Sequence, residues 1–227
     1  AVFGQLWVGG VCHGVHCAVV PFRKVVRGKG VDLPGCETGD NGPKGGLLGV
    51  DNGTIRFDAV RVPRANLLSR YGGVTDDGTY TSSISSANKR FFTMLGTLVR
   101  GRVCVGAGAA IAARRALSIA TRYGLQRRQF PNPDGGGEVV LLDYLWHQRR
   151  LLTGIAKSYA FGSAHNDLEQ LLVDCRAADA TEEMQRSLES RAAGLKAAES
   201  RFANDIVQVC REACGGAGFI AENGLTQ

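Results

Sequence analysis

The sequence predicts an α+β chain: a partial antiparallel β domain followed by a bundle of long antiparallel helices. Three observations carry this. Residues 1–87 are glycine-rich and repeatedly broken by turn signals. Residues 54–60 alternate apolar and polar side chains ahead of Pro63, as a half-buried strand does. From about residue 89 onward, apolar side chains recur at three- and four-residue intervals, the spacing of one helix face.

Taken in order, residues 1–71 form the β domain, incomplete at its N-terminal side, with a short apolar run at 16–20 and the strand at 54–60. Gly39-Asp40-Asn41-Gly42-Pro43-Lys44-Gly45-Gly46 and Asp51-Asn52-Gly53 are turns, the second placed to start the strand at Thr54. Residues 72–88, rich in Gly, Ser, Thr and Asp, read as a linker or long loop. The helical domain spans 89–227. Its first helix covers about 89–124 and carries Phe91, Met94, Leu95, Leu98, Val103, Ile111 and Leu117 with no proline. Pro131, Pro133 and Gly135-Gly136-Gly137 force a loop. A second helix runs from about 139 to 173 and a third from about 181 to 213. In the third, Leu188, Ala192, Leu195, Phe202, Ile206, Val209 and Ala213 form a packing stripe, with Glu199 its one polar interruption. Three such helices would each be about 45 Å long, and a fourth, beyond Gln227, is wanted to close the bundle.

The 227 residues are 44% hydrophobic, enough for a sizeable core. No run of eighteen apolar residues occurs. The least polar stretch, 103–113, is flanked by Arg100, Arg102, Arg114 and Arg115, so a membrane span is not expected. The N-terminus, Ala1-Val2-Phe3-Gly4, has no initiator Met and no signal-peptide pattern, and reads as a chain entered in mid-fold. Seven cysteines at irregular spacings make neither a disulfide framework nor a zinc motif. A reducing compartment and no metal site are the expectation, with Cys210 and Cys214 sharing a helix face but lacking further ligands.

The net charge of +6 comes largely from clustered arginines, whose planar forks suit phosphates. Nucleic acid is the competing partner. The basic residues are scattered over several segments with few aromatics between them, which argues against it. The first helix ends in Arg122-Tyr123-Gly124-Leu125-Gln126-Arg127-Arg128-Gln129-Phe130, where guanidinium groups could hold a pyrophosphate and Phe130 could pack against a purine. Cations at a helix C-terminus also favour the dipole and need no ligand. His147 and Gln148 lie where a fold-back would bring them near that loop, and an imidazole and an amide suit the edges of a heterocycle. His13, His16 and His165 read as ordinary structural or surface residues. Asp76-Asp77 and Glu182-Glu183 form no acid/base pair. The third helix then runs into Cys210-Arg211-Glu212-Ala213-Cys214-Gly215-Gly216-Ala217-Gly218-Phe219, with more glycine than one cap requires. Such a cluster lets backbone approach another molecule.

These segments, in this order, resemble the acyl-CoA oxidases, flavoenzymes of the acyl-CoA dehydrogenase superfamily, over essentially the whole chain. The matching pieces begin with Leu33-Pro34-Gly35, Gly42-Pro43-Lys44, Asp51-Asn52-Gly53 and Val62-Pro63-Arg64-Ala65-Asn66-Leu67-Leu68. They continue with Gly101-Arg102-Val103, the segment from Arg122 to Phe130, Leu142-Asp143-Tyr144 with His147-Gln148, and the segment from Cys210 to Phe219. The resemblance implies an acyl-CoA dehydrogenase-like fold and an FAD enzyme that desaturates fatty acyl-CoA and passes the electrons to O2, giving trans-2-enoyl-CoA and H2O2. It implies a homodimer or higher homo-oligomer with FAD at the subunit interface, and a compartment that is cytoplasmic for a bacterial member and the peroxisomal matrix for a eukaryotic one. Carried over by position, Arg127, Arg128, Gln129 and Phe130 would meet the FAD pyrophosphate and adenine of a neighbouring subunit. Glu212, Ala213, Cys214, Gly215 and Gly216 would meet the same dinucleotide, as would His147 and Gln148. Arg102 matches an arginine that binds the CoA portion, although the family's acidic residue three positions earlier is Val99 here. Ala217 stands where family members commonly have histidine. The catalytic glutamate would lie beyond Gln227, so no catalytic residue is expected among these residues. A dehydrogenase that reduces an electron-transfer flavoprotein, or a helical assembly module without catalysis, are the alternative readings.

Overall fold

The computed structural model describes residues 1–226. It comprises two compact units, Ala1–Met94 and Leu95–Gln227. The first is built from antiparallel strand pairs: β1 (Val2–Val8) with β2 (Val11–Ala18), β3 (Arg23–Val26) with β4 (Lys29–Asp32), and β5 (Cys36–Asp40) with β6 (Gly53–Phe57). β6 begins at Gly53, directly after the Asp-Asn turn that the sequence places there, and pairs Cys36 with Phe57 and Asp40 with Gly53. The β3–β4 hairpin turns on Arg27 and Gly28, both with positive φ (48° and 76°), the geometry whose twist suits a two-residue hairpin.

Residues 72–88 are more structured than a linker. They carry a hairpin of β7 (Gly73–Val74) and β8 (Tyr80–Thr81) before α1 (Ala87–Leu95). Tyr80 stacks on His13 of β2 with ring centroids 3.8 Å apart, and its hydroxyl lies 3.1 Å from Nε2 of buried His16. The guanidinium of Arg90, on α1 and 3% exposed, donates to Ser82 Oγ, Ile84 O and His13 O. His16 is therefore a core residue held on two sides, and burial pushes its pKa below the usual histidine value.

The expected first helix is interrupted. α1 gives way to a 3-10 turn at Gly96–Leu98 before α2 (Val99–Gln126) begins. Glycine, the weakest ordinary helix former, opens that turn, and its carbonyl accepts from Val99 N–H in the tighter hydrogen-bond pattern. The second unit continues with a hairpin of β9 (Arg128–Pro131) and β10 (Glu138–Val140), then α3 (Leu145–Asp174) and α4 (Glu182–Ala213). Thr181 caps α4, its hydroxyl accepting from Met184 N–H at 3.2 Å, with Glu182 and Glu183 in the first turn where they favour the dipole.

The stripe read from the sequence is the packed face of α4. Ala203, Ile206, Cys210 and Ala213 bury against Ala113, Ala116, Leu117 and Ala120 of α2 and Leu151 of α3. Toward the other end, Leu188 and Ala192 meet Val99 and Val103 of α2 and Leu168 of α3. Alanines at the α2–α4 seam let the backbones come close. With 28 residues and a window of mean hydropathy 1.4, α2 is long and apolar enough by composition to cross a bilayer, which the sequence reading did not anticipate. Its alanine- and valine-rich face here packs against α3 and α4 as the central helix of the unit.

Glu199, the polar interruption of that stripe, is 0% exposed. His165 of α3 places Nδ1 3.1 Å from its Oε1, and Gly106 of α2 supplies the space. Burial raises the carboxyl pKa while His165 works against the rise. The expectation that His165 is an unremarkable structural or surface residue misses this pairing, which joins two helices 34 positions apart.

Candidate functional site

α2 ends, α3 begins and α4 ends at the same end of the helical unit, and most of the sequence-predicted residues collect there. Arg127 caps α2, its N–H bonded to Tyr123 O. Arg128, Gln129 and Phe130 then run along β9. Arg128 Nη1 donates to Glu138 O at 3.1 Å across the hairpin, and Leu141 N–H to Arg127 O at 2.8 Å. The Arg127 side chain is exposed and makes no hydrogen bond or ion pair among the described residues. Phe130 is 62% exposed and sits at φ 64°, a left-handed conformation that costs a non-glycine residue energy.

α3 starts at the foot of this hairpin. Tyr144, its N-cap, donates its hydroxyl to Gln129 O at 2.8 Å. His147 packs on Gly124 of α2: a Cβ at Gly124 would stand 3.1 Å from His147 Nε2. That nitrogen is buried with no hydrogen-bond partner, and burial, helped by the Arg150 charge, holds the imidazole pKa below the usual value. Gln148 follows, half-buried, in the first turn. One turn on, Arg150 Nη2 reaches Glu212 Oε2 on α4 at 2.6 Å, and Gln208 donates to the other oxygen at 2.9 Å. The guanidinium holds the Glu212 carboxyl below the ordinary range.

The glycine cluster divides into different jobs. Ala213 and Cys214 are buried in the core, so their side chains face the bundle. Burial raises the thiol pKa of Cys214, and that of Cys210 to about 12, leaving both as neutral packing groups. No metal-binding group of His, Cys, Asp or Glu occurs among the described residues. Gly215 has φ 56° just past the helix, the conformation of an ordinary glycine cap. Gly218, in the 3-10 turn Gly215–Phe219, is required by packing, because a Cβ there would overlap Arg211 O. Gly216 alone has neither constraint, being exposed with open space where a Cβ would stand.

Arg102 is elsewhere. It lies in the first turn of α2, 25 residues before Arg127, which at the helical rise puts it about 37 Å away. One small ligand group cannot bridge both. Grooves of 540 Å³ between α2 and α3 and 510 Å³ between α3 and α4 are lined by other side chains. Arg127, Arg128, Phe130, Glu212, Gly215 and Gly216 instead occupy open surface, beside exposed Leu145, Trp146, Phe219 and Ile220. Sequence reasoning missed Tyr144 and Arg150 as parts of this end. Tyr144 stands in the matching segment Leu142-Asp143-Tyr144 and Arg150 three residues after His147, but the sequence reading assigned neither a role.

The donor set fits an anionic dinucleotide in part: an unengaged guanidinium, a presented aromatic and an open glycine backbone, with Glu212 already neutralised. Comparison with known proteins gives the family and the fold. The sequence model of the family described as "Acyl-CoA oxidase, C-alpha1 domain" matches residues 95–227, starting where the second compact unit starts. "Acyl-coenzyme A oxidase 3, peroxisomal" of Arabidopsis thaliana is 41% identical over 222 residues, covering 98% of this chain and 32% of that protein. The structure of Arabidopsis thaliana acyl-CoA oxidase 1 superposes with a TM-score of 0.83 at 34% identity, over 98% of this chain and 34% of the other. Acyl-CoA oxidase-1 of Caenorhabditis elegans, solved with FAD and ATP, gives a TM-score of 0.79 at 33% identity over 96% of this chain and 31% of that one. The chain thus spans about a third of the length of the relatives it matches.

Proposed function

The chain belongs to the acyl-CoA oxidase family, and on that premise we propose that the protein containing it oxidises fatty acyl-CoA to trans-2-enoyl-CoA, with FAD as cofactor and O2 as electron acceptor, releasing H2O2. The observation that carries this reading is the convergence of exposed Arg127, Phe130 and Gly216 at one end of the helical unit, with half-buried His147 beside them. FAD, when bound, supplies a two-electron acceptor for the substrate's β-hydride and a route for those electrons to O2. This chain's residues bind and orient. Arg127, with Arg128 beside it, would hold the pyrophosphate by charge-assisted hydrogen bonds. Phe130 would lie against the adenine, and Gly216 would let backbone approach the dinucleotide. His147, kept neutral by burial, has its Nε2 free for a hydrogen bond once a ligand or a small shift admits one.

The open placement of these residues, with exposed Leu145, Trp146, Phe219 and Ile220 around them, suits a second copy of the protein that closes the site. We therefore assign FAD to the interface of a homodimer or larger homo-oligomer. Arg102, at the far end of α2, would meet the phosphates of the CoA moiety in a separate place. The α-proton base is assigned to a glutamate outside these 227 residues, so the chain alone is expected to give no turnover. The compartment follows the source: peroxisomal matrix in a eukaryote, as the plant relative is named, and cytoplasm in a bacterium.

Purified full-length protein supplied with a fatty acyl-CoA in air should be yellow and produce peroxide stoichiometric with enoyl-CoA. A colourless protein that makes no peroxide would overturn the proposal. Rapid reduction of an electron-transfer flavoprotein with slow reoxidation by O2 would make it a dehydrogenase instead.

A further inference from the structure

Two hydrogen-bonded contacts fan out from the start of α3 to the two segments that carry the proposed cofactor contacts. Tyr144 reaches β9 through Gln129 O at 2.8 Å. Arg150 reaches the end of α4 through Glu212 at 2.6 Å, and between them His147 seats α3 against α2 at Gly124. We propose that Tyr144 and Arg150 are positioning residues, which touch no cofactor atom but hold β9 and the α4 terminus in the spacing that FAD binding needs. The proposal rests on the FAD reading above.

Each contact acts on a place where the chain would otherwise choose differently. Phe130 is held in a left-handed conformation, and such strain persists only where the surroundings over-determine it. The Gln129 carbonyl belongs to the same peptide plane as the Phe130 N–H. Anchoring that oxygen on the Tyr144 hydroxyl fixes the plane from which Phe130 departs, so the ring is presented instead of collapsing onto the hairpin. At the other segment, Glu212 is an acid three residues before Gly215, a poor neighbour for a pyrophosphate. Arg150 occupies one of its oxygens and Gln208 the other, so the guanidinium offsets the carboxylate charge and each oxygen already accepts one hydrogen bond. Both members of this ion pair are partly exposed, 29% and 46%, so water screens it and its contribution to fold stability is small. Its value lies in where it puts the α4 terminus.

The test uses the full-length protein stripped of flavin. FAD affinity is read by quenching of flavin fluorescence on titration, and the fold by thermal melting of the same apoprotein. Tyr144→Phe and Arg150→Gln should each raise the FAD Kd by about fivefold, the loss of one net hydrogen bond or its equivalent in pre-organisation. The apoprotein melting curves should stay close to wild type. The charge-exchanged pair Arg150→Glu with Glu212→Arg should recover most of the affinity lost in Arg150→Gln, which a generic packing role would not produce. If both single variants keep wild-type affinity while Arg127→Ala weakens it, the positioning proposal falls and the cofactor site stands. Failure of wild-type protein to take up FAD would overturn both. Should Tyr144→Phe not fold, the exchanged pair decides: no recovery overturns the role of Arg150.

Discussion

Gly106 on α2 stands directly against the carboxylate of Glu199 on α4: a Cβ placed on Gly106 would overlap Glu199 Oε2 and lie 3.3 Å from His165 Cε1. Glu199 is fully buried and held by His165, so its side chain has nowhere to withdraw. Alanine normally gains about 1 kcal/mol over glycine within a helix. At this position overpacking should win, and Gly106→Ala is expected to destabilise the protein by about 1–3 kcal/mol. Gly108→Ala, two residues on with open space around it, should stabilise. Equal melting temperatures for the two variants would contradict the assignment.

The same carboxyl gives a pH dependence. Burial raises the Glu199 pKa above its ordinary value of 4.5, so the folded state holds that proton more tightly than the unfolded state. The stability from this group is fully present below pH 4.5 and is lost as pH rises through the folded pKa. Denaturant melts of wild type and Glu199→Gln across this range should therefore diverge, wild type losing stability relative to the variant on the alkaline side. A pH-independent difference between them would refute it.

His147 shifts the opposite way. Burial, then the Arg150 charge, lowers its pKa from 6.5, so the neutral ring contributes stability above pH 6.5 that is lost as pH falls through the folded pKa. An NMR titration of the ring protons should give a midpoint below 6.5. Arg150→Gln should move it part of the way back, since burial remains. A midpoint unchanged by that substitution would remove Arg150 as a cause.

The two exposed glycines after α4 should separate stability from ligand binding. Gly215→Ala meets a positive φ and is expected to cost about 1 kcal/mol. Gly216→Val places its Cβ in open space and should leave the melting temperature close to wild type. If backbone approach to FAD is its role, the full-length Gly216→Val protein should purify with less bound flavin. Full flavin occupancy in that variant would return Gly216 to the status of a surface turn residue.

Arg127 and Arg114 make a further contrast. Arg127→Ala should lower the FAD retained by the full-length protein, whereas Arg114→Ala, on the groove wall between α2 and α3, should not. Equal flavin content in both variants would count against the pyrophosphate assignment.

What could be read from the sequence was whatever repeats locally. The α4 stripe from Leu188 to Ala213 and the turn before β6 are set by neighbours a few residues away, and both lie where the pattern puts them. β3 and β4 escaped notice because all but one of their residues are exposed, which leaves no alternation to see. The β7–β8 hairpin hid in a polar, glycine-rich segment for a related reason: Tyr80 is anchored by His13 and His16, more than sixty residues earlier. Glu199 was visible as an oddity in an apolar stripe, but nothing local named His165 as its partner. The candidate site followed the same division. Residues 127–130 and 212–216 stood out by composition, while the link from Arg150 to Glu212 spans 62 positions and exists only in three dimensions.

The separation between α2 and the helix that covers it also sets an order of events. The β1–β2 and β3–β4 hairpins of the first unit close over two-residue loops, and hairpins of that kind form in about 1–10 μs. They can be complete while later residues are still being made. Ala113 and Ala116 must wait for Cys210 and its neighbours, nearly a hundred positions downstream. At about 5–20 residues per second, α2 would spend roughly 5–20 s after its own synthesis with its apolar face uncovered. A helix holding a window of mean hydropathy 1.4 in that condition is a natural client for a ribosome-associated chaperone.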